Sequence, residues 1–164
     1  MLNAADHEAF ITTLGHLFEH SPWVAEETWA KRPFASVEAL HAALCAAMRA
    51  APADRQLALI RAHPDLAGRL ARQKQLTAES TREQASAGLD QLTDAELAEF
   101  ARNNDTYKAK FGFPFIICAR LNAKASILSA MAARLPNTPT VEFTTALAEI
   151  EKIAWLRLQD ALGN

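Results

Sequence analysis

The sequence has little of what most binding and catalytic architectures are built from. Its 5 glycines are spread over 164 residues, and no Gly-rich loop is available to cradle a phosphate. The 2 cysteines, Cys45 and Cys118, have no metal-like spacing. They lie in apolar surroundings and read as buried thiols of a reducing compartment, with no histidine partner assigned to either. The apolar runs are a handful of residues, far below the ~20 needed to cross a bilayer. A formal net charge of −2, with Lys and Arg scattered, leaves no electrostatic footprint for nucleic acid or an anionic membrane. M-L-N-A-A-D-H-E lacks the basic-then-apolar order of a secretory signal, and A-L-G-N is not a peroxisomal tripeptide, so cytoplasm is the expected compartment.

What the sequence does have is helical period almost throughout. Phe10, Leu14, Leu17 and Phe18 step by threes and fours, predicting a first helix from about Ala4 to Glu19. Ser21-Pro22 fits a cap and first-turn proline for a short helix to Trp29, ended by Pro33. Ser36 caps a third helix with Leu40, Leu44 and Met48 inward, Pro52 closes it, and Asp54 to Ala62 forms a fourth. The stretch Arg61 to Leu89 breaks at His63-Pro64, runs a short helical pattern, and opens another at Ser80 with Glu83 and Gln84 just inside. Thr93 and Glu96 fit a capping box for a helix through Leu97, Phe100 and Tyr107, ended at Gly112. The apolar F-G-F-P-F-I-I-C-A is broken by Gly and Pro and has no partner strand elsewhere, so it reads as a buried loop. Helices from about Asn122 to Leu135 and Thr140 to Leu162 complete the chain. The expected fold is all-α, a single compact domain over 1–164 of about eight to ten short helices.

Three features sit uneasily in a purely structural frame. On the last helix, at about 100° per residue from Ile150, Arg157 falls at about 340°, inside the apolar arc of Phe143, Leu147, Ile153, Ala154 and Ala161. A guanidinium there needs an anion, either a buried protein partner or a substrate carboxylate held bidentately. His63 precedes a proline, which disfavours αR geometry and offsets the imidazole from the helix before it. It reads either as a cap near the negative helix end or as a group poised for proton transfer near neutral pH. Ser80 followed by Glu83 is a plain capping box, yet Phe115 to Ala119 offers backbone amides without obvious partners, which a bound anionic oxygen would satisfy. His63, Asp65 and Glu83 could be drawn together around a metal, but neither H-x-x-x-H nor H-E-x-x-H occurs. No G-x-S-x-G supports nucleophilic catalysis.

H-P-D-L-A-G (His63–Gly68), S-T-R-E-Q-A-S-A-G-L (Ser80–Leu89), N-x-x-Y-x-x-K-F-G-F-P-F-I (Asn104–Ile116) and K-I-A-W-L-R-L (Lys152–Leu158) stand in this order along the chain. Together they resemble the 2-oxo-4-hydroxy-4-carboxy-5-ureidoimidazoline (OHCU) decarboxylase family of urate breakdown, over essentially the whole sequence. The resemblance implies an all-helical fold and loss of CO2 from OHCU to give (S)-allantoin, with no cofactor and no metal. It implies that His63 is the catalytic histidine and Glu83 its acidic partner, and that Arg157 holds the substrate. Pro64, Ser80 and Gln84 match substrate-contacting positions. Phe115, Ile116, Ile117, Cys118 and Ala119 match the segment that offers amides to the ring carbonyl side. It also points to a homodimer, although no exposed apolar stripe can be assigned. The alternative is a non-catalytic helical module that binds an anionic imidazolidine-like ligand.

Overall fold

A computed structural model describes residues 2–163, apart from the side chains of Leu70 and Arg72. Among the described residues there are nine α-helices, two short 3-10 turns and no strand. The all-α expectation holds. The helices are α1 (His7–Leu14), α2 (Trp23–Trp29), α3 (Val37–Ala50), α4 (Ala53–Ala62), α5 (Arg69–Arg72), α6 (Ala78–Ser86), α7 (Asp94–Phe111), α8 (Lys124–Arg134) and α9 (Pro139–Ala161). Two compact units divide the chain, one running to Ala62 and resuming at Glu151, the other His63–Ile150.

In the first unit, α1 packs on α2 and α2 on α3. Phe10, Leu14, Val24, Leu44, Met48 and Ile60 have no exposed surface, and burying each such side chain contributes about 1.5–3 kcal/mol. The first helix is shorter than its period predicts. It ends at Leu14, because the chain turns at Gly15, where a Cβ would lie 2.6 Å from the Ile11 carbonyl oxygen. Leu17 and Phe18 are nonetheless buried, reaching the core from the turn rather than from a helical face. Ser21 is not the cap of α2. Its hydroxyl donates to the Glu19 carbonyl at 2.9 Å, and Pro22 takes the cap position. Ser36 does cap α3, accepting from Ala39 N at 3.1 Å, and Leu40, Leu44 and Met48 are buried as the stripe predicts.

In the second unit the central element is α7, which packs against α8. Its ends are those the sequence predicts. Thr93 Oγ1 accepts from Glu96 N at 3.2 Å while Glu96 Oε2 accepts from Thr93 N at 2.8 Å. Gly112 closes it with φ 76°, a left-handed conformation that glycine adopts without Cβ strain. The start of α6 differs from expectation. Thr77, not Ser80, is the N-cap, its hydroxyl accepting from Ser80 N at 3.2 Å. Starting a turn earlier puts Ser80 and Gln84 one turn apart on the buried face of α6. The capping-box explanation of Ser80 and Glu83 therefore fails, because Ser80 is already inside the helix. The F-P-F-I-I-C segment is a loop, as read, with a 3-10 turn beginning at Ala119.

The cap assignment has a direct measure. Thr77→Ala should lower the unfolding free energy by about 1 kcal/mol in urea titration, and Thr77→Ser should recover most of it. Equal stability of all three proteins would move the cap elsewhere.

Candidate functional site

His63 follows α4 directly and starts an irregular segment that ends at Gly68. This segment folds back tightly, since a Cβ on Gly68 would stand 2.6 Å from Asp65 Cβ. Only glycine fits the end of H-P-D-L-A-G for that reason. Ala67 sits at φ 50°, a left-handed position disfavoured for a residue with a Cβ, and it must be held there. Gln84 does so: its Oε1 accepts from Ala67 N at 2.9 Å and its Nε2 donates to the Asp65 carbonyl at 3.3 Å. From α7, Asn104 Nδ2 donates to the Leu66 carbonyl at 2.9 Å and Lys108 Nζ pairs with Asp65 Oδ2 at 2.6 Å. The histidine-bearing loop is thus tied to α6 and α7 at three successive residues. His63 is 9% exposed, Ser80 and Gln84 are buried, and Pro64 and Glu83 are half-buried.

The second loop lies against the same helix. The 3-10 turn Ala119–Leu121 packs on α6. Burial is the largest influence raising the Cys118 thiol above its ordinary range, and the carboxylates of Glu149 and Glu83 add to it. Glu83 is therefore within electrostatic reach of this loop. Phe115, Ile116, Cys118 and Ala119 are buried and Ile117 is half-buried. The Cys118 amide donates to Glu149 Oε2 at 2.9 Å. Among the described residues the amides of Ile116 and Ile117 have no acceptor, which is the arrangement that suits a bound oxygen.

Behind this loop is a buried ionic cluster. Glu142 has no exposed surface; Arg134 Nε and Nη2 donate to its Oε2 at 3.0 and 2.9 Å, and Asn137 Nδ2 to its Oε1 at 2.9 Å. The Tyr107 hydroxyl donates to the same Oε2. Burial pushes the Glu142 carboxyl up, but the bonds from Arg134, Asn137 and Tyr107 together outweigh it and leave the group below the ordinary carboxylate range. Burial, and next the bond to Glu142, push the Tyr107 phenol well above its usual value. Neither Glu142 nor Glu149 was singled out by sequence reasoning. The signal was present: on the wheel that marks Arg157, they fall at about 280° and 260°, on the edge of the same arc.

Arg157 lies in the other unit, 3% exposed, with Nη1 donating to Glu19 Oε2 at 3.0 Å, and Glu19 is itself 3% exposed. Of the two readings open for Arg157, the buried ion pair is present. The same unit holds a neighbour that the sequence reading overlooked. His41 is one turn before Cys45 on α3, with Nε2 3.4 Å from Sγ. This is not a nucleophilic dyad. Nε2 donates to the Glu151 carbonyl at 2.9 Å, and burial, reinforced by Glu151, pushes the thiol up to about 12. Cys45 is half-buried rather than buried.

These loops and helices define an all-α protein in which the candidate site residues are divided between hydrogen-bonded loops and the helices α6 and α9; among the described residues no three His, Cys, Asp or Glu are grouped to hold a metal ion. The chain belongs to the OHCU decarboxylase family, whose model matches residues 3–159. It is 45% identical to the 2-oxo-4-hydroxy-4-carboxy-5-ureidoimidazoline decarboxylase of Halalkalicoccus jeotgali, over 97% of this chain and 88% of that one. A crystal structure of (S)-allantoin synthase superposes with a TM-score of 0.75 at 33% identity, covering 98% of this chain. This chain spans about half of that one, 52%. A crystal structure of OHCU decarboxylase in the presence of (S)-allantoin gives a TM-score of 0.70 at 30% identity, over 87% of this chain and 92% of that one.

Two outcomes follow from the charges. Glu142 is depressed when folded, so it stabilises the fold above the unfolded carboxylate pKa of about 4.3, and that contribution is lost as pH falls toward the lowered folded value. Glu142→Gln should be less stable than the unaltered protein by on the order of 3 kcal/mol at pH 7, and the gap in Tm should close below about pH 4. A gap independent of pH would refute the ionic role. For Cys45, a thiol at about 12 is thiolate in about one molecule in ten thousand at pH 8, against about a quarter for an ordinary thiol. Alkylation of Cys45 in the folded protein should be roughly a hundredfold or more slower than in urea, as read by peptide mass mapping.

Proposed function

We propose that this chain removes CO2 from OHCU to give (S)-allantoin, as a carboxy-lyase of urate breakdown that needs no cofactor. The observation that carries the reading is the way Gln84 ties the His63 loop to the helix bearing Glu83, beside a loop with open amides. A family match from residue 3 to residue 159 supports it.

The chemistry follows from the substrate. Breaking the bond to the carboxylate leaves an electron pair, which the imidazoline ring of OHCU can delocalise itself, so no external electron sink is required. What remains for the protein is to orient the carboxylate, stabilise the developing charge and deliver a proton to one face. On this reading Arg157, fixed by Glu19, holds the substrate. Within the segment Phe115 to Ala119, the open amides of Ile116 and Ile117 receive the developing negative charge on the ring carbonyl side. His63 and Glu83 handle the proton and the substrate hydroxyl as a coupled pair. Pro64 and Ser80 line the same space, and Gln84 contributes by holding the loop. Delivery from one side gives one enantiomer. On the same reading the chain works as a homodimer and its compartment is the cytoplasm. Among the described residues no helix is long and apolar enough to cross a membrane.

The test is decay of OHCU generated freshly from urate, with product chirality followed by circular dichroism. The protein should accelerate decay and yield optically active allantoin. His63→Ala or Glu83→Ala should reduce turnover by about 10²–10⁴-fold with far-UV spectra unchanged, and Arg157→Ala should raise KM as well. Decay at the buffer rate ends the proposal. Tight binding of (S)-allantoin without turnover would instead support a non-catalytic module.

A further inference from the structure

Arg134 does more than neutralise Glu142. Two of its donors, Nε and Nη2, go to Glu142 Oε2, and the third, Nη1, reaches the Ile116 carbonyl at 2.7 Å. The guanidinium also lies 4.2 Å from the centre of the Phe115 ring. Its side chain is 12% exposed, so water competes little for these bonds. Glu142 is held in turn by Asn137 and Tyr107, leaving the fork of the guanidinium a single orientation.

The consequence lies on the far side of the peptide. The Ile116–Ile117 bond is trans, and a trans peptide sets C=O and N–H in opposite directions. With its oxygen bound to Arg134, the peptide must turn the Ile117 N–H away from the guanidinium. Among the described residues that N–H has no acceptor. The next amide, Cys118, is turned onto Glu149 instead. A charged donor on a carbonyl also polarises the peptide and makes its N–H a stronger donor.

We propose that Arg134 is a positioning residue: through the Ile116 carbonyl it aims the Ile117 N–H at an anionic or carbonyl oxygen of the ligand. The geometry stands by itself; the choice of (S)-allantoin and OHCU as ligands rests on the decarboxylase reading. A purely structural Arg134 would support the loop without affecting what one amide does.

The experiment follows the Ile117 amide by nitrogen–proton correlation NMR while (S)-allantoin is added, beside kcat and KM with OHCU. In the unaltered protein the Ile117 proton should move downfield on binding. Arg134→Lys keeps the charge beside Glu142 but not the fork, so the Ile117 response should vanish. In that variant kcat should fall roughly tenfold or more, with KM changing less. A folded Arg134→Lys protein with an undiminished Ile117 response and kcat overturns the proposal. So does an Ile117 amide in the unaltered protein that stays silent at saturating (S)-allantoin, whether or not the variant folds. Binding through Ile117 with no acceleration of OHCU decay would sink the decarboxylase reading and spare this one. Acceleration with a silent Ile117 would do the reverse.

Discussion

The repeat of a single helix constrains the whole second unit. Asn104, Tyr107, Lys108 and Phe111 stand at positions i, i+3, i+4 and i+7 along α7, so they share a face. From that face Asn104 and Lys108 bind the loop that begins at His63, and Tyr107 binds the Glu142 cluster behind Phe115 to Cys118. Two irregular segments, separated by about fifty residues of chain, thereby take their positions from one rigid element. Irregular backbone is held only where its polar groups find partners: α7 supplies one to the first loop directly through Asn104, and through Tyr107 and Glu142 it fixes the Arg134 that supplies one to the second.

Buried charge has a consistent use here. Ion pairs in a low-dielectric interior add little net stability, because desolvation offsets their attraction, but removing one partner is costly. Arg157 with Glu19 and Arg134 with Glu142 are both of this kind. Arg157 is almost fully enclosed and Arg134 largely so, and each carboxylate fixes the plane of a guanidinium. Such pairs hold a donor fork in one orientation more than they hold the fold together. The two thiols show the opposite use of burial: desolvation raises both above the ordinary thiol range, which lowers the fraction present as the reactive thiolate.

Much of the fold was legible from local chemistry. Ser36, Thr93 with Glu96, and Gly112 behave as their types and spacings predict, because capping depends on neighbours a few residues away. The failures share one cause. Ser80 with Glu83 is the better capping box on paper, yet α6 starts at Thr77, which seats Ser80 and Gln84 on the buried face. Leu17 and Phe18 keep their helical spacing, yet α1 ends at Leu14, and they are buried from a turn. Period predicts which residues go inside more reliably than it predicts the backbone that carries them.

By itself, then, the sequence determined the helical class, the inward stripes, the loop at F-P-F-I-I-C and the family motifs, all of which are set by side-chain type and short spacing. Only the tertiary structure decided the partners: Glu19 for Arg157, Glu142 for Arg134, Glu149 for the Cys118 amide, and Gln84 for the backbone after His63. These groups lie between 8 and 138 residues apart in sequence. A buried charge dictates that an opposite charge or donor must be found, but which one arrives is fixed by how the helices pack.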